Sequence, residues 1–331
     1  MATLKDIALL VGVSTCTVSR YINGKITVRK DTAEKIDRAI KDLGYTKNFA
    51  AVSLKTQSSR SVAVVFPSLK NIFFAEIAEH INRVLETRGY TMITLTTDNL
   101  DSKEREAARK ILELRAAGAI FMTLPYDHQD SSHILQLEGQ GIPCVMINRY
   151  FEAGKFTAVS TDFLGGAREG TNLLLAGGAR KIGLIVGAPV QPQSRVYIQG
   201  YRESLEAAGL EADEDLIRYC YYDEGKVARA TRDFLRMGTD AIFAISDYTA
   251  LAVLDEVKRQ QWRIPEDVSV LGSGNSRFAQ LTGLTSLDSR PVELGTRGAE
   301  ILLQRIHREN DSQFVLIEPE FSVRESVRTI Q

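Results

Sequence analysis

The stretch TLKDIALLVGVSTCTVSRYING, residues 3–24, decides how the chain begins to fold. Thr3 is a residue type that caps helices, and Asp6 places a carboxylate in the first turn, where the exposed amides and the helix dipole stabilise it. A helical repeat of apolar residues follows and ends in a glycine: Leu4, Ile7, Ala8, Val11 and then Gly12. This pattern predicts a short first helix that stops at the glycine.

A second and a third helix follow after short connections. Ser14 offers a cap for a helix over residues 15–23, which Gly24 ends. Asp31, with Glu34 three residues later, forms a capping-box pattern that predicts the start of the third helix. The side chains expected in the core of these helices are Val18, Ile22, Ile36, Ile40 and Leu43. Three short helices with a tight turn between the first two form a helix-turn-helix unit, whose second helix enters the major groove of DNA.

The outward face of the second helix is the predicted DNA-reading surface. With Val18 and Ile22 on the apolar face, the residues that point outward are Thr15, Cys16, Ser19 and Arg20. The Arg20 guanidinium can donate to both O6 and N7 of guanine, and the small side chains allow close approach to base edges. The alternative is that all four are ordinary solvated residues.

Residues 1–60 hold 11 Lys and Arg against 5 Asp and Glu, whereas the remainder holds 30 against 37, so the basic charge lies at this end.

Five short motifs of this head follow one another in a known order: residues 3–8 (TLKDIA), 11–14 (VGVS), 17–20 (TVSR), 23–24 (NG) and 43–45 (LGY). In this pattern the head resembles that of the LacI/GalR family of bacterial transcription regulators. The resemblance implies a homodimeric repressor whose two heads read the halves of a near-palindromic double-stranded operator. It implies DNA contacts from Thr3, Ser14, Thr15, Cys16, Thr17, Ser19, Arg20 and Asn23. The family's usual Val-Ser before the third helix is Arg29-Lys30 here.

Residues 46–60 connect the head to the rest of the chain. Asn48 can cap one or two helical turns, which are too short to be stable without a partner. In the resembling family this segment is a hinge helix that forms on DNA and inserts a leucine into the minor groove, which kinks the DNA. Leu54 occupies that position, while Val52 stands where the family usually has arginine. The alternative is a plain flexible tether.

From residue 61 onward, apolar strands alternate with amphipathic helices of about 10 to 18 residues, which is typical of parallel sheets built from βαβ units. The predicted strands are Val62–Phe66, Thr91–Thr96, Ala119–Thr123, Cys144–Ile147, Lys181–Val186, Ala241–Ile245, Val268–Leu271 and Leu284–Leu287. Because 271 residues exceed what one core usually supports, two α/β lobes are expected, with a ligand cleft outside the carboxyl ends of the strands. The predicted domains are therefore a head (1–45), a hinge helix and linker (46–60) and a two-lobed body (61–331).

The body also resembles the family's sensor domain, which is similar to periplasmic sugar-binding proteins. The motifs that carry this resemblance include Asn71 with Phe73 and Phe74, Asn148-Arg149, Asp162, Ser246-Asp247 and residues 265–268 (PEDV). It implies that Phe73 and Phe74 stack on an apolar ring face of an effector. It also implies that Asn148 and Asp247 bind hydroxyl groups, so that a carbohydrate is the expected effector.

Departures from the family pattern weaken the sugar inference. Tyr197 stands where the family frequently has arginine, with Arg195 nearby, and Gly274-Asn275 replaces the usual Asp-Asp after a late strand. The candidate effector contacts are therefore Phe73, Phe74, Asn148, Arg195, Tyr197, Asp247 and Asn275. Each aromatic residue among them has an alternative as part of a lobe core or rim.

Other function classes find little support in the sequence. Three widely spaced cysteines argue against a disulfide framework and a structural zinc site and fit a reducing cytoplasm. No dinucleotide, Walker or nucleophile-elbow motif appears, so we expect no enzyme, no metal and no cofactor. No apolar run reaches a membrane span. The competing hypothesis is a secreted solute-binding lipoprotein anchored through Cys16. We further expect the body to dimerise through its closing helices, with Leu294, Ala299, Leu302 and Leu303, and through residues 241–245.

Overall fold

The computed structural model describes residues 2–22, 24, 26–45, 59–123, 125, 130–149, 156–308 and 313–329. The chain divides into two units, residues 1–59, which include the head, and residues 60–331, which include the body. Among the described residues, no helix combines the length and apolar character needed to cross a membrane.

The head contains three helices: Leu4–Val11 (α1), Thr15–Ile22 (α2) and Lys30–Asp42 (α3). Thr3 and Asp6 cap α1 reciprocally, because each side chain accepts a hydrogen bond from the backbone N–H of the other. Gly12 ends α1 with a φ of 75°, a left-handed conformation that glycine adopts without steric cost. Ser14 caps α2 by accepting from the Thr17 N–H at 3.0 Å. The first helix therefore begins and ends where the sequence predicts, and the second begins at Thr15 as predicted and extends to Ile22.

The third helix differs from the prediction at both ends. It begins at Lys30, after Arg29, which makes no side-chain cap, so Asp31 lies inside the first turn and the predicted capping box is wrong. Leu43 lies beyond the last turn and is 38% exposed, so its predicted place in the core is also wrong. The core forms around side chains from all three helices: Ile7, Ala8, Val18, Ile36 and Ala39.

The first lobe of the body is a parallel six-stranded sheet in the order β11-β5-β4-β3-β1-β2. Its strands are Ser61–Phe66 (β1), Thr91–Thr96 (β2), Gly118–Phe121 (β3), Cys144–Ile147 (β4), Ala158–Thr161 (β5) and Phe314–Ile317 (β11). Its helices are Ile72–Thr87 (α4), Asp101–Glu113 (α5), Ser132–Gly139 (α6) and Pro291–Ile306 (α12). Separate apolar clusters cover the two faces of the sheet, so the sheet is buried between helices.

The second lobe has a matching sheet in the order β12-β10-β9-β8-β6-β7, in which only β12 is antiparallel to its neighbour. Its strands are Ile182–Val186 (β6), Ile217–Tyr219 (β7), Ala241–Ala244 (β8), Ser269–Ser273 (β9), Thr285–Asp288 (β10) and Glu320–Ser322 (β12). Its helices are Phe163–Ala176 (α7), Pro192–Ala207 (α8), Glu224–Arg236 (α9), Asp247–Arg259 (α10) and Arg277–Leu281 (α11), with a 3-10 turn at Glu214–Leu216.

The chain crosses between the lobes three times, after β5, after β10 and after β11. The crossings lie side by side, since Thr161 Oγ1 donates to the Ser289 carbonyl at 2.9 Å and the Asp162 N–H donates to the Ile317 carbonyl at 2.9 Å. All eight predicted strands exist within two residues at each end. The prediction missed β5, β7, β11 and β12, which have three or four residues each and lie at or near sheet edges.

The expected dimer surface is wrong, because the side chains on which it rested lie inside the monomer. Leu294, Ala299 and Leu302 are fully buried in the first lobe, where α12 packs against the sheet and α4. Residues 241–244 form β8, a central strand buried between two apolar clusters. These side chains are therefore not available to an interface between copies.

The last described residues run as a strap across the second lobe. The Ser326 hydroxyl donates to the Val270 carbonyl at 2.6 Å and accepts from the Thr285 N–H at 2.8 Å. A Cβ added at Gly177 would lie 2.2 Å from the carbonyl oxygen of Arg328, so the strap requires glycine at that position.

We predict that Gly177→Ala destabilises the body by about 1 to 3 kcal/mol, as overpacking typically does, because the strap must move. Gly139→Ala is the matched control, since a Cβ there meets no atom within 4 Å and alanine favours the helix. Denaturant unfolding of both variants measures the difference. Equal stability of the two variants would contradict the role of the strap.

Candidate DNA-binding head and effector cavity

The outward face of α2 offers the side chains that the sequence predicts. Thr15, Cys16 and Arg20 are exposed, Ser19 is half-buried, and Val18 is fully buried on the opposite face. The guanidinium of Arg20 has no acceptor among the described residues of the head. It is therefore available for the bidentate contact with guanine that remains our prediction for it.

Three predicted DNA contacts have structural partners within the head. The Thr3 hydroxyl donates to Asp6 at 2.8 Å, and this hydrogen bond is the main cause that lowers the pKa of Asp6. The hydroxyls of Ser14 and Thr17 are 2.8 Å apart and bond to each other. These groups fix the two helix starts, and their contact with DNA stays a prediction. Asn23 and Leu54, and with Leu54 the hinge up to residue 58, lie outside the described residues.

A cavity of about 310 Å³ lies between the lobes of the body. Most of its wall comes from residues at or just beyond the carboxyl ends of strands, for example Pro67 after β1, Ser246 after β8 and Ser289 after β10. This is the edge at which the sequence predicts the cleft. Four of the seven candidate effector contacts line it: Phe73, Phe74, Asn148 and Asp247.

Asn148 presents an amide group to the cavity from the end of β4. Its backbone is left-handed, with a φ of 53°, which asparagine tolerates better than most residues. Its Oδ1 accepts from the Thr161 N–H at 2.9 Å, which fixes the amide plane. Its Nδ2 is buried and has no hydrogen-bond partner among the residues that the structure describes. A buried donor without a partner costs about 1 to 3 kcal/mol, so this atom favours an acceptor supplied by a ligand.

Asp247 is the first residue of α10 and is also almost fully buried. Its carboxylate accepts from the Ser286 hydroxyl at 2.5 Å and from the Ser276 N–H at 2.6 Å. Burial raises the pKa of Asp247, and these hydrogen bonds together with the charge of Arg324 oppose that effect. The carboxylate is thus part of the second lobe's own framework as well as of the cavity wall.

Phe73 and Phe74 lie in the first turn of α4, where Asn71 caps the helix by accepting from the Phe73 N–H at 3.2 Å. Their rings meet edge to face, with centroids 5.7 Å apart. Across the cavity, Gly274 has a φ of 128°, and a Cβ on it would lie 3.4 Å from the Phe73 ring. The backbone of the second lobe therefore lies close to the phenylalanine pair, and the positive φ favours glycine at this position.

The other three candidate contacts do not line the cavity. Tyr197 is fully buried behind its wall, where the hydroxyl bonds to Ser273 Oγ at 2.8 Å and the ring packs edge to face on Phe243. Arg195, two residues earlier on α8, is exposed and donates to the Val190 carbonyl. Asn275 Nδ2 donates to Asp288 at 2.9 Å, and its side chain borders a separate groove. Arg195 and Tyr197 are two residues apart on α8, so the helical twist points them in different directions. Their positions could not be predicted from the ends of the strands.

Several residues of the cavity wall were not predicted from the sequence. They are Lys70, Asp98, Asn99, Phe163, Gln193, Tyr221, Tyr222 and Tyr248. Tyr221 and Tyr222 follow the missed strand β7 and have φ values of 53° and 58°, which is unusual for bulky side chains. Asp98 and Asn99 hold the equivalent place after β2, also with positive φ. A hydrogen bond to Glu224 raises the pKa of Tyr248 to about 12, so its hydroxyl stays protonated.

A buried charged cluster lies behind Asn148. Arg149 and Glu104 form an ion pair with both side chains fully buried, at 2.8 Å between Nη1 and Oε1. The same carboxylate accepts from the Thr123 hydroxyl and bonds to His133 Nε2. Burial acts to raise the pKa of Glu104, but the hydrogen bond with His133 and the charge of Arg149 outweigh it and lower the pKa. Removing either member would leave an uncompensated buried charge, so the cluster fixes the loop that carries Asn148.

Known proteins resemble this chain along its whole length. Residues 3–48 match the model of bacterial regulatory proteins of the lacI family, and residues 171–327 match a periplasmic binding protein-like domain. The transcriptional regulator CelR of Thermobifida fusca is 33% identical over 98% of both chains. The transcriptional repressor PurR of Vibrio cholerae serotype O1 (strain M66-2) is 30% identical over 100% of this chain and 99% of its own. The chain belongs to the LacI family.

A solved structure supports the same assignment. The structure described as a CelR–cellobiose complex is 30% identical, covers 98% of this chain and 100% of its own, and superposes with a TM-score of 0.74. This LacI-family protein is therefore an effector-controlled, DNA-binding transcription repressor with a helix-turn-helix head and a two-lobed α/β sensor. The expectations of family and fold class are confirmed.

The comparisons also bear on the alternative function classes, a secreted lipoprotein and an enzyme. Relatives that match across the head are named as transcription regulators, which does not favour a lipoprotein anchored through Cys16, a residue that lies within α2. The same names denote regulators rather than enzymes. Within the described parts of the chain, no group of three or more His, Cys, Asp or Glu side chains is arranged to hold a metal ion.

We predict that Arg20→Ala lowers the preference for the specific operator by about 1 to 3 kcal/mol, because one bidentate contact with a base is lost. Arg38→Ala removes the same charge from an exposed position on α3 and is the control. Fluorescence anisotropy with operator and random DNA measures both affinities. Equal losses on the two DNAs for Arg20→Ala would show that Arg20 contacts only phosphate.

Proposed function

We propose that this protein is a cytoplasmic, homodimeric repressor controlled by a hydroxyl-bearing effector with a flat apolar face, a sugar or sugar derivative. The effector binds in the cavity between the lobes. The head (1–45) reads operator half-sites, the hinge (46–60) inserts Leu54 into the minor groove, and the body (61–331) senses the effector and dimerises.

The observation that carries the effector proposal is Asn148, a residue of the cavity wall whose buried Nδ2 has no protein partner in the described parts of the chain. A hydroxyl oxygen of a bound sugar is a suitable acceptor for it. The aromatic rings of Phe73, Phe74, Tyr221 and Tyr222 border the same space and suit the apolar face of a sugar ring. A relative described in complex with cellobiose gives the class of ligand further support.

The mechanism follows from the position of the cavity. An effector that contacts both lobes binds their closed arrangement better than their open one, and so shifts the population toward closure. Closure changes the separation of the two points from which the hinges of a dimer begin. The heads then fit the two half-sites better or worse, which sets operator affinity.

The proposed dimer face surrounds a groove next to α11 and the start of α12. Arg277, Gln280 and Val292 line this groove. Exposed apolar side chains are available on the same two helices: Phe278, Leu281 and Val292, which are 45%, 67% and 55% exposed. Large apolar side chains exposed on neighbouring helices are typical of a surface that another protein covers. A second copy is the partner that a near-palindromic operator requires.

We predict that Asn148→Asp lowers effector affinity about tenfold or more, because the donor is lost while the oxygen that accepts from Thr161 is kept. Asn82→Asp, on α4 outside the cavity, is the matched control. Thermal-shift measurements with cellobiose and a panel of mono- and disaccharides identify the probe, and calorimetry then compares the variants. A wild-type protein stabilised by purine bases but by none of the sugars would overturn the carbohydrate assignment.

We predict that the full chain is a dimer at micromolar concentration and that Phe278→Asp dissociates it, because an unpaired carboxylate in an apolar interface is costly. Leu114→Asp is the control, since Leu114 is 47% exposed but lies at the end of α5. Analytical ultracentrifugation distinguishes the two forms. A dimer that tolerates Phe278→Asp as well as Leu114→Asp would place the interface elsewhere.

A further inference from the structure

Residues 273–277 of the second lobe lie beside the cavity and next to α4 of the first lobe. A Cβ added at Gly274 would lie 3.4 Å from the Phe73 ring, so the backbone of Gly274 lies beside that ring of the first lobe. Three residues later, the backbone N–H of Arg277 donates to Oε1 of Glu76 at 3.2 Å. Phe73 and Glu76 are three residues apart on α4, so they lie on the same side of that helix. One helix of the first lobe therefore meets one segment of the second lobe at two points.

The same segment is fastened to the cavity wall. Asp247, which lines the cavity, accepts from the N–H of Ser276 at 2.6 Å and from the hydroxyl of Ser286 at 2.5 Å. Ser276 in turn caps α11, whose first residue is Arg277. A single backbone step therefore separates the donor held by the cavity carboxylate from the donor held by Glu76. If a ligand moves Asp247, the movement is transmitted to the contact with the first lobe through the backbone alone, with no side chain in between.

The surroundings of Glu76 disfavour the ionised form of its side chain. Burial raises the pKa of Glu76, and the nearby charges of Asp247 and Asp288 raise it further, while the Arg277 N–H and His80 act in the opposite direction. The side chain of Arg277 does not supply the partner charge, because its guanidinium donates to Gln280 at 3.1 Å. The contact between the lobes is thus a hydrogen bond from a backbone amide, and it does not depend on which side chain residue 277 carries.

We infer that Glu76 is a positioning residue for the effector response, which holds residues 273–277 against the first lobe and so couples the cavity carboxylate Asp247 to lobe closure. This inference rests on the proposed function, because it assigns a route by which the proposed effector acts. Glu76 does not line the cavity and acts through Arg277 and Ser276 rather than by contact with the effector. Its role is to favour the closed arrangement that the effector selects.

Two pairs of variants distinguish the loss of this hydrogen bond from the loss of the original side chain at position 76 or 277. Glu76→Gln keeps an acceptor oxygen, whereas Glu76→Ala removes it. Arg277→Ala keeps the backbone N–H, whereas Arg277→Pro removes it at the first position of a helix, where proline is tolerated. Glu79→Ala is the control on the same helix, since Glu79 pairs with Arg83 on the exposed surface.

The first measurement is hydrogen exchange of the full chain without effector or DNA, read in the peptides that cover residues 72–80 and 273–281. In Glu76→Ala and Arg277→Pro we expect exchange there to accelerate about tenfold, because a hydrogen bond to a charged group is lost. Glu76→Gln and Glu79→Ala should stay within about twofold of wild type, because the bond is kept. Arg277→Ala removes the same side chain beside the proposed dimer face as Arg277→Pro does, but it should exchange more slowly than Arg277→Pro, since only the latter loses the bond. Unchanged exchange in Glu76→Ala and Arg277→Pro, or equal acceleration in all five variants, would overturn the inference.

The second measurement is calorimetry with the sugar that the thermal-shift panel returns, or with cellobiose. Affinity should fall in Glu76→Ala and Arg277→Pro and be kept in Glu76→Gln and Arg277→Ala. Affinity that is the same in all four variants would show that the contact does not serve the effector. Because the exchange measurement uses neither sugar nor operator, its outcome decides the contact even where the carbohydrate assignment fails.

Discussion

Parallel strand pairing is the constraint on which the rest of the body depends. A strand can pair in parallel with its neighbour only after the chain has returned by a crossover, and here most crossovers contain helices, which bury both faces of each sheet. The covered faces of such a sheet offer no open surface to a ligand. Most groups that line the cavity lie at or just beyond the carboxyl ends of the parallel strands, which share one edge of each sheet, and the facing edges of the two lobes enclose the cavity.

This constraint explains what the sequence analysis could and could not predict. Asn148 and Asp247 follow strongly apolar strands, so their place at the cavity was predictable from position alone. Tyr221 and Tyr222 follow a strand of three residues, which is too short to produce a recognisable pattern. Tyr197 lies on a helix, where a rotation of one residue decides between the cavity and the core, and only packing against Phe243 settles it. In the head, Leu43 fits the helical spacing, but the helix ends before it.

The polar groups of both sites have structural partners of their own. Thr3 and Ser14 cap helices, the oxygen of Asn148 binds a backbone amide, and Asp247 binds Ser276 and Ser286. These bonds hold the groups in place before any ligand arrives, which reduces the entropy cost of binding. The left-handed backbone conformations at the cavity act in the opposite direction, because each one costs a bulky residue about 1 to 2 kcal/mol of folding free energy. Interactions elsewhere in the fold must offset that free energy. The buried ion pair behind Asn148 is one of the interactions next to the cavity.

The three crossings between the lobes also set the order in which the protein can form during synthesis. The first lobe needs β11, near residue 317, and the second needs β12 and the strap up to Ser326, so both lobes take strands from the last part of the chain. The head is complete within the first 45 residues and has its own core. At a synthesis rate of about 5 to 20 residues per second, a nascent chain therefore carries a finished head for many seconds before either lobe can close its sheet. During that interval the ribosome holds a DNA-binding unit that no effector controls.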